Sequence, residues 1–78
     1  MNKDELLLNL QEAIRTEESV SAILLEHLHA LAERTGIDEH IAGETRTVLE
    51  NLIRENTRHR TILEAMQERV KGEDRNDW

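Results

Sequence analysis

Apolar residues in the first half of the chain fall at alternating steps of three and four. The track runs Leu7, Leu10, Ile14, Leu24, Leu28 and Leu31, and Glu17 and Ser21 occupy its middle positions. That stepping is the seam of a helix packed on another helix. The second half repeats it through Ile41, Thr45, Val48, Leu52, Glu55, His59, Ile62 and Met66. An overlapping track, Leu49, Leu52, Asn56, His59, Leu63, Met66 and Val70, widens that stripe, as Leu6, Val20, Ile23 and Leu25 widen the first. Nothing alternates with period two and no Asn-Gly or Asp-Gly turn occurs, so strands are not predicted.

Punctuation residues divide the pattern in two. Asn2 and Glu5 have the spacing of a capping box, in which a side-chain acceptor is followed three residues later by a carboxylate. Gly36, after Arg34-Thr35, stands where a left-handed residue ends a helix, and Asp38 with Glu39 can cap the next one. Gly43 weakens the start of that second helix, and Gly72 offers its stop. The spacing therefore predicts one domain over 1–78, with helix 1 over about 3–35, helix 2 over about 39–71 and a polar tail, 72–78, that frays. Helices of about 50 Å joined by so few residues must lie antiparallel as a hairpin.

Each stripe is wider than one neighbour can cover. A lone core in a chain this short rarely supplies more than about 3–5 kcal/mol. Doubling the hairpin about a two-fold axis buries both stripes in a four-helix bundle, so the expected state is a homodimer or a higher oligomer.

Composition narrows the classes. The 78 residues contain no cysteine, proline, phenylalanine or tyrosine, and one tryptophan, Trp78. Thiolate metal sites, thiol nucleophiles and disulfides are therefore excluded. Seventeen acidic against ten basic side chains give a net charge of −7, which repels a phosphate backbone and argues against nucleic acid. No apolar run approaches the roughly 20 residues that span a bilayer, and the charged Met1–Glu5 start leads into no secretory segment. A cytoplasmic protein with no membrane association is expected.

The interruptions of the stripes fall at one level. With the turn near residue 36, Glu17 and Glu18 come opposite Asn56 and Glu55, and Ser21 and His59 lie one turn away. Several carboxylates in one desolvated layer repel each other, and burying an unpaired charge costs several kcal/mol. A divalent cation removes that penalty, and Glu and His on facing helices suit iron, manganese or zinc. Glu55 and His59, four residues apart, share a helix face and can chelate one ion.

The stretch Leu52-Ile53-Arg54-Glu55-Asn56-Thr57-Arg58-His59-Arg60-Thr61-Ile62-Leu63 resembles the second metal-binding helix of the ferritin-like superfamily, as in rubrerythrins. Ala13-Ile14-Arg15-Thr16-Glu17-Glu18-Ser19-Val20-Ser21-Ala22 resembles the first, where the family carries one ligand Glu. Encapsulated ferritins, whose two-helix protomers complete a di-iron bundle by dimerising, are the nearest architectural parallel. The resemblance implies metal ligands at Glu17 or Glu18, Glu55 and His59, with Ser21 and Asn56 supporting them. It further implies a divalent metal, iron foremost with zinc or manganese as alternatives, and iron oxidation or oxidant handling as the activity. Two departures stand out. Asn56 occupies the position of the Glu in the family's Glu-x-x-His, and Leu24 and Leu25 stand where aromatic residues are usual.

A metal-free account uses the same residues. His59 bonds Glu17 or Glu18, Asn56 bonds its symmetry mate, and the polar layer fixes register in a dimeric adaptor. His27 and His29 point to different sides of helix 1, although His29 can reach Glu44 across the hairpin; His40 is expected in solvent. Glu50–Arg54 and Arg60–Glu64 have the spacing of surface pairs on one helix. Trp78 on the tail is a possible docking residue for a protein partner. Phosphate loops, nucleophile elbows and His-Glu-x-x-His are all absent, so no other enzyme class is indicated.

Overall fold

The computed structural model describes residues 1–34 and 36–78. Helix α1 spans Lys3–Glu33 and helix α2 spans Glu39–Gly72, and they lie antiparallel in a rod of 58 × 14 × 14 Å. No strand occurs among the described residues. The all-helical hairpin expected from the stripes is thus the architecture. The expected end of helix 1 at Thr35 falls outside the described residues.

Local chemistry accounts for the boundaries. Asn2 Oδ1 accepts from the Glu5 amide at 2.8 Å, and the Asp38 carboxylate accepts from the amides of His40 and Ile41 at 2.9 and 3.3 Å. These acceptors satisfy donors that a helix start leaves without partners. Arg69 and Lys71 sit in the last turn of α2, where the helix dipole favours cations. Gly36 takes φ +81°, the left-handed conformation the turn needs. Gly72 differs from expectation: it remains helical, and α2 ends because Glu73 is extended, with its amide donating to Val70 O. Gly43 does not split α2, which is continuous through it.

The buried residues are Leu10, Ile14, Val70 and Asn56. They belong to an inner seam of Leu10, Ile14, Glu17, Ser21, Leu24, Leu28 and Leu31 on α1. Its α2 counterpart is Leu49, Ile53, Asn56, Arg60, Leu63, Gln67 and Val70, all buried or half-buried. The more apolar track of helix 2 does not face α1. Ile41, Val48, Leu52, Ile62 and Met66 are 47–58% exposed. The inner seam combines its aliphatic side chains with polar partners, Asn56 with Ser21 and Glu17, and Gln67 with Gln11 at 2.9 Å. That rotation leaves the apolar track on one side of the rod. There it lies beside Leu6, Val20 and Leu24 of α1, and we call this side the open face.

The tail does not hang free. Lys3 Nζ donates to Lys71 O at 3.1 Å and to Glu73 O at 2.7 Å, and its amide donates to Asn76 Oδ1 at 3.1 Å. The Trp78 amide donates to Met1 O at 2.9 Å. Residues 73–78 thus form a strap across the end of the hairpin, with the Arg75 guanidinium 4.0 Å from the Trp78 ring centroid. Among the described residues no helix is long and apolar enough to cross a membrane.

Candidate functional site

At mid-height the two helices bring together Glu17, Ser21, Asn56 and His59. Glu17 and Ser21 are one turn apart on α1, and Asn56 and His59 are three residues apart on α2, so each pair shares a helix face. Ser21 Oγ donates to Asn56 Oδ1, and Asn56 Nδ2 donates to Glu17 Oε2. Asn56 is only 6% exposed, and this network satisfies both ends of its amide.

The second oxygen of Glu17 serves a different neighbour. Oε1 lies 3.7 Å from His59 Nδ1, with the two side chains 24% and 56% exposed. Both residues line an open groove of about 350 Å³ together with Val20, Leu24, Leu52, Glu55 and Asn56. Toward the strap the groove continues past Ile62 and Leu63. The pair therefore sits on the open face, ringed by aliphatic side chains that α1 and α2 do not cover for each other.

The remaining candidates are placed apart from it. Glu55 lines the outer edge of the groove, and its carboxylate lies 3.8 Å from Arg58 Nη1. Glu18 is exposed and is turned about 100° from Glu17 by the helix. Among the described residues no group of three His, Asp or Glu side chains converges closely enough to hold a metal ion within one chain. One protomer thus offers a carboxylate–imidazole pair with an amide behind it, which is two metal-type ligands of the four that a closed site uses.

Other side chains resolve as surface chemistry. Glu44 pairs with His40 at 3.0 Å rather than with His29. Arg60 reaches Glu64 at 3.8 Å, and Arg54 donates to Asn51 at 2.8 Å rather than meeting Glu50. The feature that sequence reasoning missed is the groove of about 260 Å³ under the strap, lined by Leu6, Leu10, Met66, Val70 and Trp78 among others. A single tryptophan in a chain with no other aromatic was its only signal.

No protein-family model, curated protein or solved structure matches the chain.

Proposed function

We propose that the chain is a ferritin-like half-bundle. Two copies join by their open faces into a homodimeric four-helix bundle, and the two Glu17–His59 pairs meet on the shared seam to hold a divalent metal ion. Iron is the first choice, with zinc or manganese in a structural role. Glu55, on the groove edge, is the further carboxylate each copy can turn inward. With iron, a site of this composition supports Fe(II) oxidation by a small oxidant.

The observation that carries this reading is the Glu17 Oε1–His59 Nδ1 approach at 3.7 Å within an aliphatic groove. Area supports the dimer. The chain exposes 5979 Å², whereas a folded monomer of 9.1 kDa exposes about 4,900 Å². The surplus of about 1,100 Å² is the size of one partner's share in a stable interface, about 800 Å². Elemental analysis of the purified protein, before and after Fe(II) addition, tests the metal. The expected result is stoichiometric metal that is lost in His59→Ala; absence of metal in both proteins overturns it.

A second reading is favoured by the Asn56 network, which closes through Ser21 and Glu17 without an ion. In that case the layer fixes register in a metal-free dimeric adaptor. Chelator then leaves the melting curve unchanged, and Glu55→Gln is neutral or stabilising.

A further inference from the structure

We propose that the C-terminal strap is an autoinhibitory cover. Closed in the single chain, it occupies one end of the open face, and a second copy docks along the whole face only by displacing it. This rests on the self-association proposed above and not on the metal.

The strap lies on the surface that a partner needs. Trp78 and Arg75 line one groove with Leu6, Leu10, Met66 and Val70. Leu6 and Met66 belong to the open face, and Leu10 and Val70 form its floor. Those last two are 7% and 6% exposed, and they are two of the three buried apolar side chains among the described residues. The strap thus does for this end of the face what a partner would do for the rest. Beyond it the track is bare, with Ile62, Leu52 and Val48 at 47–56% exposure.

Distance makes strap and partner exclusive. Helices packed in a bundle stand about 8–10 Å apart, a gap that their own contacting side chains fill. Residues 73–78 with the indole have no room in that gap. This holds whichever way the second copy runs, because the strap lies on the face itself. The partner must stop short of the strap or push it aside.

The closed strap is held so that it can yield. Its polar anchors are the first residues of the chain: Lys3 Nζ donates to Glu73 O, the Lys3 amide to Asn76 Oδ1, and Met1 O accepts from the Trp78 amide. Met1 is 55% exposed and the Asn76 bond is exposed, so water competes for these groups. Inside the groove Trp78 Nε1 is buried in its own chain without an acceptor, the one such side-chain atom among the described residues. Release returns that N–H to water and regains the hydrogen bond that closure forfeits. Opening also uncovers Leu10 and Val70, a penalty that is offset once a partner's aliphatic side chains cover them. Segments that move on binding are drawn from parts of a fold held this weakly.

Trp78 is the chain's one tryptophan and reports the strap directly. The experiment follows sedimentation equilibrium and Trp78 emission of the unmodified chain across concentration, with Lys3→Ala alongside. Lys3→Ala removes the ammonium group that ties Lys71 O and Glu73 O to α1. It also makes a chain of net charge −7 more acidic, which opposes pairing, so charge cannot imitate release. The expected result is a red shift of Trp78 emission as the dimer forms, and a dimer at least tenfold tighter in Lys3→Ala. A dimer whose emission stays constant or moves to the blue overturns the autoinhibitory strap and leaves self-association intact. A Lys3→Ala dimer no tighter than the unmodified one does the same. Monomers at all concentrations in both proteins overturn the two together.

Discussion

Glu17 Oε1 faces His59 Nδ1 across the hairpin at 3.7 Å, a separation too long for a hydrogen bond. Behind the pair, Asn56 Nδ2 occupies the other carboxylate oxygen and fixes the orientation of Glu17. The layer is therefore polarised: an amide closes it toward the inner seam, and the carboxylate–imidazole edge is open toward the exposed groove.

Asn56→Asp reports on that polarity. The substitution keeps the shape, removes the donor to Glu17 and sets a second carboxylate against it at a position 6% exposed. Without metal, a loss of about 1–3 kcal/mol in urea unfolding is expected, the cost of a buried polar group deprived of its partner. If the layer holds a metal ion as proposed, the new carboxylate adds an oxygen ligand beside Glu17, and Mn(II) or Zn(II) then restores stability beyond its effect on the unsubstituted protein. A variant destabilised equally with and without metal favours the metal-free polar layer.

Gly36→Ala isolates a backbone cost. The residue holds φ +81°, and a Cβ there meets nothing within 4 Å, so no packing is disturbed. The expected destabilisation is about 1 kcal/mol, the penalty of a left-handed alanine, with helix content unchanged by circular dichroism. A much larger loss would mean that the turn does more than reverse the chain.

Lys3→Ala acts on the strap. Its ammonium group donates to Lys71 O and Glu73 O, and so ties the end of α2 to the start of α1. Amide exchange in residues 73–78 is expected to accelerate at least tenfold while exchange at mid-height around Asn56 stays constant. Uniform acceleration along both helices would instead make Lys3 a support of the whole hairpin.

Much of this was legible in the sequence, and the exceptions share one physical origin. The caps at Asn2 and Asp38, the turn at Gly36 and the antiparallel pair follow from local chemistry and connection length, which tertiary contacts do not alter. The meeting of Glu17, Ser21, Asn56 and His59 followed from counting back from the turn. What periodicity did not supply was the rotation of α2. Its inner seam includes Arg60 and Gln67, whose stems and amides half-bury, while the cleaner aliphatic track through Val48, Leu52, Ile62 and Met66 faces out. A stripe shows that a face will be covered but not by which neighbour. Glu55 lies on the outward track and Glu18 beyond the seam of α1, so both stand apart from the polar network. The folded-back tail was missed for a related reason: its hold on the hairpin comes from Lys3 and Met1, some seventy residues away, and composition alone predicts fraying.

The outward track is also where self-association is most simply tested, by comparing two exposed leucines. Leu52, 48% exposed, lines the open face beside Val20 and Leu24, whereas Leu8, 57% exposed, lies on the back of α1. If exposure alone mattered, Leu8→Glu and Leu52→Glu would behave alike, each shifting monomer stability by no more than about 0.5 kcal/mol. If the open face is an interface, the charge at position 52 is desolvated against a partner's aliphatic side chains, and such a burial costs several kcal/mol. Sedimentation equilibrium is then expected to show Leu8→Glu dimerising like the unsubstituted chain and Leu52→Glu weakened at least a hundredfold. If pairing through the open face adds to stability, the melting temperature of the unsubstituted chain rises with protein concentration and that of Leu52→Glu does not. Equal dimerisation of the two variants would remove the open face as the contact surface.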